Sequence, residues 1–117
     1  MTEEKDCVFC KIVKGELKTE LIEDAENFIV FNDANPVAEG HCLIVPKEHY
    51  GTVIDMPNTL GTELLTLAKK HGLRLIKEKL ADGFKLVSNN YPAAGQVVPH
   101  FHLHVIPHKE GAEVGHV

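Results

Sequence analysis

Four of the eight histidines fall within one short segment, His100-Phe101-His102-Leu103-His104-Val105-Ile106-Pro107-His108. The alternation has period two, the signature of a strand, and it predicts His100, His102 and His104 on one face with Phe101, Leu103 and Val105 on the other. Neighbours on one face would stand roughly 6.6 Å apart. Ordinary solvated strand faces use Lys, Glu and Thr, so a merely solvated reading fits poorly. Two chemical readings remain: a three-imidazole metal site, or one nucleophilic imidazole with neighbours that help by charge and hydrogen bonding. Imidazole, with an ordinary pKa near 6.5, is substantially neutral at pH 7 and needs no separate base to attack.

Cys7 and Cys10 form a C-x-x-C pair, and Cys42 stands alone in an apolar run as a small buried hydrophobe. Three cysteines are too few for a disulfide scaffold. A redox pair wants a strand before the motif, and the polar segment ahead of Cys7 offers none. Zinc is favoured, given two more ligands.

The elements that must position these groups are short. Residues 7–14 read as a helix stopped by Gly15. Residues 21–24 and 28–31 read as strands around a turn at 25–27, and 41–45 as a third strand ended by Pro46. A long helical pattern opens at Pro57-Asn58, with Asn58 as N-cap, and ends at Asp82-Gly83. Leu60, Leu64, Leu67, Ala68, Leu75 and Ile76 form its apolar side; Glu63, Lys69, Lys70, Lys77 and Glu78 mark its wet side. Gly61 and Gly72 each weaken that helix by about 1 kcal/mol relative to Ala. Strands follow at 84–88 and 101–106, the last closed by Pro107, with a Gly/Pro-containing loop at 89–99 between them. The expected fold is α+β, a five-stranded antiparallel sheet carrying one short N-terminal helix and one long helix. One domain is expected over 1–117, with a core at about 7–107 and a loosely ordered tail at 109–117. An apolar face left uncovered in so small a chain points to a homodimer.

At 117 residues, 44% hydrophobic and 25% charged, the chain matches the composition of a folded domain, not a disordered one. Its formal net charge of -5 argues against generic nucleic-acid or membrane binding. No apolar run approaches the ~20 residues that span a bilayer. The acidic start lacks the basic and apolar regions of a secretory signal, so a cytoplasmic protein is expected. His71 is expected at a surface or interface, while His108 and His116 receive no role.

The triad segment resembles the His-φ-His-φ-His-φ-φ signature of the histidine-triad (HIT) proteins. Phe31-Asn32-Asp33 before Pro36, His41 before an apolar strand, Pro46-Lys47-Glu48-His49, Asn89, and Gly95-Gln96 are similar in order and spacing to the Hint branch and its bacterial relatives. The resemblance implies a nucleotidyl hydrolase or transferase acting at the α-phosphorus of purine nucleoside 5′-phosphate derivatives such as phosphoramidates, through a covalent nucleotidyl-histidine. His102 would be the nucleophile, oriented by the backbone of His100. His104 and His41, as protonated imidazoles, would hold phosphate oxygens. Asn89 and the backbone at Gly95, Gln96 and Val97 would add donors. Asp33 would accept the ribose hydroxyls, although an Asp before Asn35-Pro36 also suits a turn cap. Phe9, Ile12, Phe31, Ala34 and Leu43, with Val8 nearby, would form an apolar slot for the base. Bacterial relatives carrying this C-x-x-C imply a structural Zn²⁺ held by Cys7, Cys10, His49 and His100, and no organic cofactor. Strict alternation conflicts with that ligand set, because His100 should then point with His102. Val97 stands where many relatives carry a hydroxyl, Pro107-His108 replaces a frequent Pro-Arg, and the tail is short, so the leaving group stays open. The other readings are a dinucleoside polyphosphate hydrolase, a nucleotide-binding adaptor with incidental catalysis, and a zinc hydrolase using all three triad imidazoles.

Overall fold

The structure is a computed structural model that describes residues 6–111; Met1–Lys5 and residues 112–117, including His116 and most of the expected tail, lie outside the described residues. Helix α1 (Val8–Val13) leads into strands β1 (Leu21–Asp24), β2 (Phe28–Asn32) and β3 (Cys42–Pro46). Helix α2 (Gly61–Lys77), β4 (Gly83–Val87) and β5 (Leu103–His108) follow. All pairings are antiparallel, in the order β1-β2-β3-β5-β4. The expected five-stranded α+β architecture is the one observed.

Alternation along β2 and β3 divides the core between the two helices. Phe28, Val30, Cys42 and Ile44 pack with Phe101 and Val105 against Leu67, Ala68 and Leu75 of α2. Ile29, Phe31, Leu43 and Val45 face the other way, onto Phe9 and Cys10 of α1. Both faces of the central strands are therefore covered, which explains their nearly continuous apolar runs. Each such side chain contributes about 1.5–3 kcal/mol by burial. Cys42 is the buried hydrophobe expected of it.

Several boundaries differ from the sequence expectation. Asn58 makes no cap; residues Asn58–Leu60 form a 3-10 turn closed by Leu60 N–H on the Pro57 carbonyl, and α2 starts at Gly61. The helix stops at Lys77, not at Asp82-Gly83. Lys79 takes a left-handed φ of 62°, its amide donates to Ile76, and the Leu80 amide donates to Leu75. That pattern is a Schellman stop, with Lys in the position usually held by glycine. β4 begins at Gly83, and β5 starts at Leu103 and runs through Pro107 to His108. Lys109 and Glu110 are tied down, by Lys109 Nζ on the Lys79 carbonyl and the Glu110 amide on Asp82.

His71 is buried, not at the surface. A register shift between Leu21 and Glu23 accompanies a β1 in which both Ile22 and Glu23 reach the α2 side. Glu23 then accepts from His71 Nε2 at 2.8 Å, while Arg74 Nε donates to His71 Nδ1 at 3.2 Å. Those partners fix a neutral imidazole, and burial pushes its pKa down against the opposing pull of Glu23. Glu63, expected on the wet side, is half-buried and accepts from both the amide and the side chain of Asn27. Ile76, expected inside, is exposed.

Candidate active site and metal centre

The site forms where β5 begins. Residues 99–102 are not yet strand: the His100 amide donates to Val98 and the Phe101 amide to the Tyr50 carbonyl. This turn breaks the expected alternation. Phe101 still enters the α2-side core and His102 and His104 still face a cleft, but the His100 ring swings away into a separate buried cluster. The difficulty that strict alternation posed for His100 is removed by starting the strand two residues later.

That cluster consists of Cys7, Cys10, His49 and His100, all buried, with one donor atom from each lying within 4.8 Å of the others. Cys7 caps α1, its Sγ 3.4 Å from the Cys10 amide. Its Sγ is 3.2 Å from His100 Nδ1, Cys10 Sγ is 3.3 Å from His49 Nδ1, and the two Nδ1 atoms are 3.1 Å apart. Tetrahedral zinc with S and N ligands places donors roughly 3.3–3.8 Å apart, close to these separations. The tautomer agrees as well. His100 Nε2 lies 2.9 Å from the Pro46 carbonyl and must donate to it, so Nδ1 turns a bare lone pair toward the thiols. Two thiols and two aimed imidazoles suit zinc better than a harder cation.

The His100 backbone serves the other site. Its carbonyl oxygen lies 2.8 Å from His102 Nδ1, which donates to it and leaves the Nε2 lone pair for the cleft. Phe9 stands between the two sites, its ring edge-on to His102 (5.0 Å), His100 (5.7 Å) and Phe31 (5.8 Å).

A chain of hydrogen bonds sets His104. The Val37 amide donates to His41 Nδ1 at 3.1 Å, so the neutral His41 carries its proton on Nε2. That Nε2 lies 2.9 Å from His104 Nδ1, which therefore accepts, and His104 carries its proton on Nε2. Burial pushes both pKa values down, His104 to about 4 with help from the neighbouring His102 and His41. Protonated imidazoles were expected at His41 and His104; these partners make both neutral. Asp33 Oδ2 sits 3.3 Å from His41 Nε2 and 3.7 Å from His104 Nδ1, while Oδ1 accepts from the Asn35 amide. Asp33, His41 and His104 thus resemble a two-His, one-carboxylate ligand set. A neutral His41 whose Nδ1 already accepts an amide proton has no second lone pair to offer, so the trio is a hydrogen-bond chain instead.

His102, His104, Asp33, Asn89, Gly95 and Val97 all line one cleft of about 590 Å³. Phe9, Ile12, Phe31, Ala34, Leu43 and Val8 supply its apolar wall. The size lies within the usual range for small-molecule sites. Gly95 has φ +94°, a left-handed conformation that favours glycine, although a Cβ there would meet nothing within 4 Å. Val97 is 88% exposed at the rim. Gln96 does not line the cleft: its side chain accepts from Tyr91 N–H and donates to the Gly51 and Val98 carbonyls, tying two loops together. Sequence reasoning missed Leu17 and Thr19, which extend the wall, and the Val37 amide, which a sequence of side chains cannot announce. Another cavity, about 610 Å³ beside the α1–β1 connection, contains none of the imidazoles.

The family model described as HIT domain matches residues 14–111. The chain belongs to the HIT family. Its relatives include the adenylylsulfatase HINT3 of Arabidopsis thaliana, 38% identical over 109 residues, which cover 93% of this chain and 55% of that protein. The adenosine 5′-monophosphoramidase HNT1 of Candida albicans is 38% identical over 117 residues, 96% of this chain and 76% of that one. Among solved structures, a Zn-bound histidine triad family protein from Mycobacterium smegmatis superposes with a TM-score of 0.88 at 32% identity, covering 94% of this chain and 80% of that one. For a HIT chain, the triad segment is thus split between two jobs: His102 and His104 open on the cleft, and the His100 ring closes the thiol cluster.

Proposed function

We propose that this chain is a nucleotide hydrolase or transferase acting at the α-phosphorus of adenosine or other purine 5′-phosphate derivatives, phosphoramidates among them, through a covalent nucleotidyl-histidine. The observation that carries the reading is the pair of opposite tautomers in one cleft: His102 offers a lone pair at Nε2, and His104 offers an N–H. In the first step His102 Nε2 forms a bond to phosphorus and the leaving group departs with the electrons of its old bond. His104 holds a phosphate oxygen as charge develops. Water then attacks phosphorus, the P–N electrons return to Nε2, and the nucleoside monophosphate leaves. Splitting the displacement in this way is ordinary nucleophilic catalysis.

Asp33 accepts the ribose hydroxyls, Asn89 and the backbone near Gly95 and Val97 donate to phosphate, and the apolar wall around Phe9 and Phe31 holds the base. The adenylylsulfatase and monophosphoramidase activities of the named relatives support this substrate class. Cys7, Cys10, His49 and His100 would hold Zn²⁺, which supplies cross-linking of α1 to the β5 entry when bound. We further infer a homodimer over the outer face: Leu65, Leu73 and Ile76 of α2 and Phe84 and Leu86 of the edge strand β4 are all exposed.

Incubation with adenosine 5′-phosphoramidate at pH 7 should release AMP, and an acid quench should trap nucleotide on His102. No AMP and no labelled protein would reject the reading. Among the described residues no helix is long and apolar enough to cross a membrane.

A further inference from the structure

Tyr91 has a backbone conformation that residues with side chains avoid, φ 76° and ψ 150°. It opens the short 3-10 turn Pro92–Ala94, which Gly95 closes at φ 94°. A glycine takes such a φ freely, whereas a tyrosine must be held there by its surroundings. The following proline accounts for the extended ψ but not for the sign of φ. Burial of the ring is not the holding force, since Tyr91 is 53% exposed. Gln96 supplies it instead. The Tyr91 amide donates to Gln96 Oε1 at 2.7 Å, and the Tyr91 carbonyl accepts from the amides of Ala94 and Gln96 at 3.0 and 3.2 Å. Gln96 Nε2 donates to the carbonyls of Gly51 at 2.7 Å and Val98 at 3.1 Å, so neither of its protons is left for a phosphate. Alternate residues of this loop serve two sides. Asn89, Gly95 and Val97 line the cleft, whereas Asn90 and Gln96 turn to the chain at Gly51–Val53, where Asn90 Oδ1 accepts from the Val53 amide at 2.8 Å.

We propose that Gln96 is a positioning residue for phosphate recognition: by clamping Tyr91 in its left-handed conformation, it aims Asn89 and the Gly95–Val97 backbone into the cleft before substrate arrives. The inference rests on the reading above in which those groups donate to phosphate, and it adds what holds them. Donors fixed in advance need no rearrangement as charge develops, which is where such groups gain their effect. Freed of Gln96, Tyr91 returns to a negative φ, and the chain beyond it is re-aimed because one dihedral rotates everything that follows. Asp33 and the apolar wall at Phe9 and Phe31 belong to other segments and keep their places. Nucleoside contacts therefore survive loss of the clamp, while phosphate contacts do not.

The test compares calorimetric binding of AMP with that of adenosine, which lacks the phosphate, and adds kcat on adenosine 5′-phosphoramidate. Gln96→Ala should weaken AMP binding about tenfold and lower kcat by about 10- to 100-fold, as lost charged hydrogen bonds do, while adenosine binding stays within about twofold. Should that variant not fold, Gln96→Met keeps the bulk without the hydrogen bonds and is read in the same way. Equal weakening of AMP and adenosine would overturn the proposal, because it would mark Gln96 as a general structural support. The second arm places Gln96→Ala in a Tyr91→Gly background, where the left-handed φ needs no clamp. Both penalties should then shrink to about threefold or less, the coupling expected of two residues that act as one unit. Penalties unchanged by Tyr91→Gly would overturn the proposal as well. An unsubstituted protein that binds AMP no more tightly than adenosine would instead reject the phosphate-donor reading beneath it, so the two failures are distinguishable.

Discussion

The carbonyl oxygen of His100 lies 2.8 Å from Nδ1 of His102, while the ring of His100 faces the opposite way, 3.2 Å from the Cys7 thiol. One residue therefore belongs to two sites, by its backbone to the nucleophile and by its side chain to the thiol cluster. Whatever grips the ring also fixes the plane of the peptide that aims His102.

Metal removal is the direct probe of that link. The purified chain should hold about one zinc, and a strong chelator or the substitution Cys10→Ala should lower the melting temperature by more than about 5 °C, since 1 kcal/mol corresponds to roughly 4–8 °C in a domain of this size. AMP release should fall with it. Metal-free protein that melts at the original temperature would show that the cluster is no metal centre.

Replacing the nucleophile should separate chemistry from folding. His102→Ala should reduce AMP release at least about 1000-fold, equivalent to about 4 kcal/mol, and the acid-quenched protein should carry no nucleotide by mass spectrometry. Full turnover by this variant would place the attacking group elsewhere.

Asp33 is predicted to read the ribose. Asp33→Asn should cost about 10- to 100-fold in kcat/KM on adenosine donors, the range of a lost charged hydrogen bond at ~1.5–3 kcal/mol. The penalty should shrink on 2′-deoxyadenosine donors, which offer one hydroxyl fewer. Equal penalties on both sugars would confine Asp33 to its contacts with His41 and Asn35.

Stability should fall on the acid side. His41, His71 and His104 all have pKa values held below the ordinary imidazole value of about 6.5, by burial first in each case. A folded-state pKa below the unfolded one means that the unfolded chain binds protons first, so their contribution is present above pH 6.5 and is lost as pH drops toward about 4, the value for His104. Urea midpoints measured at pH 7.5, 6 and 5 should decrease in that order. A midpoint that rises toward pH 5 would contradict the neutral tautomers.

Two glycines of α2 should respond with opposite signs. A Cβ on Gly72 would lie 2.3 Å from Cζ of Phe84, so Gly72→Ala should destabilise by about 1–3 kcal/mol through overpacking. Gly61 meets nothing within 4 Å, and Gly61→Ala should stabilise by up to about 1 kcal/mol. Denaturant midpoints of the pair check both, and a stabilised Gly72→Ala would mean that the Phe84 ring moves aside at no cost.

β2 and β3 are legible because their side chains pack on both faces and leave nearly unbroken apolar runs. The start of β5 was not legible: His100 and His102 keep the alternating pattern on paper, yet the Phe101 amide bonds to the distant Tyr50 carbonyl and holds the chain out of the sheet. The end of α2 was hidden for a related reason, since Lys79 occupies a left-handed position that sequence patterns assign to glycine. His71 looked like one more polar residue on a helix, and its partner Glu23 stands 48 residues away. Residue types and spacing point to His102, His104 and Asp33, which line the cleft, and to His41, which is bonded to His104. The tautomers of His41 and His104 follow from a main-chain donor at Val37, and a side-chain pattern carries no trace of it.

The register of β3 with β5 runs only over Cys42–Val105, Leu43–His104 and Ile44–Leu103. His41 stands just beyond this short seam on one side, and its ring reaches across to His104 on the other. The imidazole pair thus adds a diagonal side-chain tie, from just outside the ladder to a position within it. Amide hydrogens of Cys42 and Val105 should exchange faster once either ring is removed, so the groups that shape the chemistry also hold the two halves of the sheet together.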